Sequence, residues 1–120
     1  MIAAINITDT MLSKCIIDAG EMVPFAKEHL PINYDDIKLG GANKVSFHAE
    51  LQLKDSIQWL PSRLNLYKTK RGDKRLSIQH LNKYASHGDT ILLTVETGNK
   101  YSTPPDKAVP IVLISIVEDQ

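Results

Sequence analysis

The stretch from Val45 to Pro61, "VSFHAELQLKDSIQWLP", carries two hydrophobic periods at once. With period two, Val45, Phe47, Ala49, Leu51 and Leu53 alternate with Ser46, His48, Glu50, Gln52 and Lys54, the pattern of a half-buried strand. With a period of 3.6, Ala49, Leu53, Ile57 and Leu60 form one apolar stripe, the pattern of an amphipathic helix. Glu, Leu, Gln and Lys have good helix propensity and β-branched residues are scarce, so a helix is expected over residues 49–60.

Upstream, Asp9 is placed to cap a helix whose Leu12, Ile16, Ala19 and Val23 share a face, weakened by Gly20 and ended or kinked by Pro24. A shorter turn follows through "FAKEHL", then a short strand around Ile37–Leu39 and a glycine loop. Downstream, "RLNLYKTKRGDKRL" reads as a hairpin: Leu64 and Leu66 alternate with polar residues and Gly72-Asp73 supplies the turn. In "SIQHLNKYASHG", Ser77 is an N-cap, Ile78, Leu81, Tyr84 and Ala85 form a stripe, and Gly88 is a stop. "DTILLTVETG" reads as a strand with Ile91, Leu93 and Val95 on its core face. In the tail, Pro105 and Asp106 open a helix whose face is Val109, Leu113, Ile116 and Val117. Pro110 and the β-branched run "IVLISIV" pull the same segment towards a strand. A helix is the expectation.

A chain of 120 residues suits one domain. Fourteen basic and fourteen acidic residues cancel, so the whole-chain balance argues against nucleic acid as a partner and leaves such a role to local patches. The lone Cys15 fits a reducing compartment, and no apolar run reaches the ~20 residues of a membrane span. The start "MIAAINITDT" lacks the features of a signal peptide. A cytoplasmic protein without membrane insertion is expected.

Read this way, the order from about Tyr34 is strand, helix, strand, strand, helix, strand, helix. Together with His48-Ala49 after the first strand, "LSIQHL" around Ser77, "HGDTILLTVETG" and "DKAVPIVLISIV", this order resembles HPr, the histidine phosphocarrier of the bacterial phosphotransferase system. The resemblance spans Tyr34 to Gln120. It implies an α+β open-faced sandwich of βαββαβα order, with four antiparallel strands and three helices, occupying residues 34–120 behind a helical extension, residues 1–33. His48 then becomes the phosphoacceptor, and Ala49 and Glu50 supply helix amides to the phosphoryl group. Glu50 and Leu51 stand where the family has an arginine and a proline. Ser77 takes the place of a regulatory phosphorylation site, and Ile78, Gln79 and Asn82 that of the surface for phosphotransferase-type protein partners. No cofactor and no metal are implied. The extension's Leu12, Ile16 and Val23 need a covering surface, either the open face of the sheet or a second subunit.

Two alternatives stand beside this expectation. One is a protein-binding module of the same fold without phosphotransfer. The other is a metal-dependent nuclease of the PD-(D/E)xK type, in which Glu50, Gln52 and Lys54 would work with Asp35 or Asp36. On a helix, Glu50 and Lys54 are instead an i,i+4 ion pair. The four histidines include no i,i+4 pair, so zinc is not expected. The basic run "YKTKRGDKR" offers phosphate contacts and Tyr67 a stacking surface, although a solvated hairpin tip explains both.

Overall fold

The computed structural model describes residues 3–14, 17–18, 20, 22–54, 56–98 and 108–118. Cys15, Ile16, Ala19 and the helix start expected at Pro105 and Asp106 lie outside them. The chain is mostly strand. In sequence order the elements are β1 (Ala3–Asn6), α1 (Asp9–Lys14), β2 (Ile17–Asp18), α2 (Met22–His29), β3 (Val45–Gln52), β4 (Trp59–Lys68), β5 (Lys74–Ile78), α3 (Leu81–Tyr84), β6 (Thr90–Gly98) and β7 (Val109–Val117). Single 3₁₀ turns occupy Tyr34–Asp36 and Gly41–Asn43. The strands join in one sheet of order β1-β6-β7-β3-β4-β5-β2, strongly curled into a half-barrel. Among the described strands every pairing is antiparallel except β3 with β7.

This architecture overturns the expected open-faced sandwich of four antiparallel strands and three helices. The expected helix over residues 49–60 is the clearest correction. Val45–Gln52 is a central strand, paired residue by residue with β4 on one side and with β7 on the other. Period two prevails because both neighbours supply ladder partners, and Ala49 and Leu51 are then fully buried. Local propensity favoured a helix; tertiary pairing outweighed it. Ile57, which the helical stripe would have buried, stands 93% exposed in the β3–β4 connection.

The tail forms β7, with Ile111, Val112, Ile114 and Ile116 buried. Pro110 is accommodated as the second residue of that strand, opposite Thr97. Only Leu81–Tyr84 of the expected second helix is helical; Ser77 and Ile78 belong to β5. The expected strand at Ile37–Leu39 reduces to one bridge, Leu39 to Lys68. The hairpin of β4 and β5 and the strand β6 match the sequence reading: Leu64, Leu66, Ile91 and Leu93 are fully buried.

The curl encloses one core, to which the first thirty residues contribute. Ile5, Ile7, Ile17, Met22, Phe25, Ala26 and Leu30 are buried in the same cluster as Leu51, Leu64, Leu76 and Ile114, with Leu12 and Val23 packed against it. The apolar side of this segment therefore finds its covering within the chain. Tyr34, 1% exposed, donates its hydroxyl to the Arg75 carbonyl at 3.0 Å. Burial, reinforced by the nearby Tyr67, pushes its phenol above the usual range and holds it neutral.

One charged pair links the end of β3 to the residue that precedes β6. Lys54 Nζ lies 2.8 Å from Asp89 Oδ2, and that oxygen also accepts from the Ser86 amide at 2.7 Å. Asp89 is almost wholly buried, whereas Lys54 retains a quarter of its side-chain exposure. Asp89→Ala should cost about 2 to 3 kcal/mol, below the usual figure for a fully buried pair because Lys54 can turn to water. Chemical denaturation checks this; a midpoint equal to wild type would contradict it.

Among the described residues, no helix is long and apolar enough to cross a membrane.

Candidate nucleic-acid interface

Alternation along β3, β4 and β5 sends Ala49, Leu64, Leu66 and Leu76 into the core and Ser46, His48, Arg63, Asn65, Arg75 and Ser77 to the outer face. The register places Ser46, Asn65 and Ser77 in one row across the three strands. Ser46 Oγ donates to Asn65 Oδ1 at 2.6 Å, and Asn65 Nδ2 donates to Ser77 Oγ at 3.1 Å. The amide is thereby fixed in orientation.

Beyond β5 the chain stays against β4 for two more bonds. The Gln79 amide donates to the Arg63 carbonyl at 3.0 Å, and buried Ser62 donates its hydroxyl to the Gln79 carbonyl at 2.7 Å. His80 then turns the chain with φ 70° and ψ 0°, the only non-glycine residue at positive φ among those described. This left-handed conformation is uncommon for a residue with a Cβ, and such positions concentrate at functional sites. Between the strand face and this turn lies an open groove of about 570 Å³. Among the described residues, Lys44, Arg63, Asn65, Gln79, His80 and Asn82 line it together with Ser46, Ser77 and Ile78, and no carboxylate does.

The hairpin tip beside the groove is strongly basic. Lys68, Lys70, Arg71, Lys74 and Arg75 fall within eight residues that hold one acid, Asp73. The turn depends on its glycine: the Gly72 amide donates to the Thr69 carbonyl, and Gly72 takes φ 90°, which a side chain would strain. Asp73 is engaged by the Thr69 hydroxyl at 3.3 Å and by Arg75 at 3.6 Å. Lys68 and Lys74 are direct cross-strand partners, an arrangement that destabilises a sheet through like-charge repulsion. Lys74 has Asp35 at 3.9 Å. Among the described residues, Lys44, Arg63, Lys70 and Arg71 have no carboxylate within ion-pair distance.

The charge balance of the whole chain conceals this. Residues 38–83 hold ten Lys and Arg against three Asp and Glu, a net of +7. The remaining residues hold four against eleven, a net of −7. Charge counted in windows along the sequence would have exposed the partition that the cancelled total hides.

The residues singled out from the sequence are divided by this arrangement. His48 is half-buried in the middle of β3, opposite Arg63 and parallel to Ile111, and Glu50 lies two residues along the same face. There is no helix N-terminus at His48; Ala49 points into the core and its amide belongs to the sheet. The amide cradle that the phosphocarrier resemblance implied is absent there. Ser77, Gln79 and Asn82 do come together, on the groove, whereas Ile78 is 8% exposed and mostly core. Ser77 caps no helix: α3 begins at Leu81, after His80. Gln52, from the nuclease alternative, accepts from Ser115 at 3.3 Å, and Lys54 is bound to Asp89. No group of three metal-ligating side chains occurs among the described residues. The groove's Arg63, Asn65 and His80 were missed, since nothing local in the sequence marks them.

Compared with protein-family models, curated proteins and solved structures, the chain matches none.

Proposed function

We propose that the protein is a nucleic-acid-binding module that engages phosphates through the β4–β5 hairpin and Lys44, beside the polar groove of β3–β5. The observation that carries this reading is the segregation of charge: a net of +7 on residues 38–83, in a chain whose total is zero. A polyanion is the chemical complement of the exposed cations of this segment, Lys44, Arg63, Lys70 and Arg71, because each phosphate neutralised releases condensed counterions. Asn, Gln, Ser and His around the groove add donors and acceptors of the kind that contact sugar, phosphate and base.

Fluorescence anisotropy with a labelled mixed-sequence oligonucleotide tests this directly. Binding with a dissociation constant near or below about 10⁻⁵ M at about 50 mM salt, weakening steeply by about 200 mM, is expected. Absence of binding at low salt, or binding indifferent to salt, would sink it.

His80 gives a second test, in which stability and binding part company. His80→Gly relieves a left-handed strain of about 1 kcal/mol and adds a similar entropy to the unfolded chain. The melting temperature should therefore hardly change, while oligonucleotide affinity falls through loss of a side chain lining the groove. Equal affinity for variant and wild type would remove His80 from the site.

A further inference from the structure

We propose that this site cleaves RNA, with His48 and His80 acting as base and acid on either side of Arg63. This rests on the nucleic-acid reading above and adds the substrate, RNA, and the reaction, transesterification at phosphorus.

The observation that calls for it is the backbone of His80. It stands at φ 70° and ψ 0°, a conformation that glycine takes without strain and that a residue with a Cβ seldom adopts. Such outliers concentrate at functional sites. The entry to the turn is fixed: the Gln79 amide donates to the Arg63 carbonyl, and the Ser62 hydroxyl donates to the Gln79 carbonyl. His80 is exposed and lines the groove with Lys44 and Arg63. Asn65, Gln79 and Asn82 already supply donors and acceptors for binding. What an imidazole adds is proton transfer near neutral pH.

A second imidazole stands across the same guanidinium. His48 is the β3 residue directly opposite Arg63, and Gln79 is bonded to Arg63 from the other side. Residues directly opposite in antiparallel strands project to one face with Cβ atoms about 5 Å apart. His48, Arg63 and Gln79 thus form one row across the outer face, and His80 follows at its end. A phosphodiester drawn to Arg63 and Lys44 lies between the two rings.

A base, an acid and a cation between them are the parts of transesterification. His48 accepts the proton of a ribose 2′-hydroxyl, whose oxygen attacks the adjacent phosphorus. The O2′–P bond forms as the P–O5′ bond breaks, and protonated His80 gives its proton to the departing 5′-oxygen. Arg63 and Lys44 meet the charge that grows on the non-bridging oxygens. The products are a 2′,3′-cyclic phosphate and a free 5′-hydroxyl, and exchange with water resets both rings. The nucleophile belongs to the substrate, so DNA, which lacks the 2′-hydroxyl, is bound and not cut.

Incubation of the full chain with an end-labelled, mixed-sequence RNA oligonucleotide in the presence of a metal chelator, beside its 2′-deoxy counterpart, tests the proposal. Fragments ending in a 2′,3′-cyclic phosphate, identified by mass spectrometry, are expected from RNA and none from DNA. At protein concentrations that saturate the RNA, His48→Gln and His80→Gly should each slow cleavage by roughly 100-fold or more. A melting curve shows that each variant is folded, and His80→Gly, whose stability is expected to hold, decides the case if His48→Gln is not. The proposal is overturned if RNA survives saturating protein, if DNA is cut alike, or if either folded variant cleaves as fast as wild type. In each of those cases binding persists and the nucleic-acid reading stands. Absence of binding to RNA and DNA alike would overturn both.

Discussion

Deletion of residues 1–33 is expected to leave a chain that does not fold. The deleted segment supplies β1, which pairs with β6, and β2, which pairs with β5, so both ends of the sheet would lose their edge strands. It also removes Ile5, Ile7, Ile17, Met22, Phe25 and Leu30, all buried at 6% exposure or less. Each large apolar side chain contributes about 1.5 to 3 kcal/mol on burial. Six of them match or exceed the roughly 5 to 15 kcal/mol by which a whole domain is stable. Circular dichroism of residues 34–120 should show no cooperative melt. A sharp transition near that of the full chain would mean that the segment is dispensable and that the core is wrongly placed.

Replacing Lys44, Lys70 and Arg71 together by alanine should cost two to three orders of magnitude in nucleic-acid affinity. Each phosphate contact contributes about 0.9 to the slope of log affinity on log salt, or close to eightfold at about 0.1 M relative to 1 M. Three such contacts multiply to several hundredfold, and the slope should flatten by about 2.7. All three side chains are exposed and without an ion pair among the described residues, so the fold should be unaffected. A triple variant that binds within threefold of wild type would place the phosphates elsewhere.

Parts of the fold were legible because local pattern and tertiary context agree. In the β4–β5 hairpin, Leu64 and Leu66 alternate with polar residues and a glycine at positive φ closes the turn. In β6, Ile91 and Leu93 alternate similarly. β3 was misread because Ala49, Leu53, Ile57 and Leu60 also satisfy a helical stripe. Which period prevails depends on β7, a strand about sixty residues later in the chain. β7 itself was obscured by Pro110, whose missing donor matters little near a strand end. Helix α3 shrank because the ladder with β4 captured Ser77 and Ile78.

The site was legible only in its linear part. The basic run of the hairpin is visible in the sequence, and the zero net charge masked its weight. The groove is different in kind. Ser46, Asn65 and Ser77 are separated by nineteen and twelve residues, and only the strand register makes them neighbours. The αL turn at His80 has no sequence signature, since glycine or asparagine would be the residue expected there.

Backbone amide shifts recorded by NMR during titration with a short oligonucleotide test the central claim most directly, because they report where the ligand sits as well as whether it binds. The largest changes should cluster at Lys44–Ser46, Arg63–Asn65, the hairpin tip Lys68–Arg75 and Ser77–Asn82, with Asp9–Lys14 and Met22–His29 unmoved. Changes concentrated on α1 and α2, or none at low salt, would contradict the account.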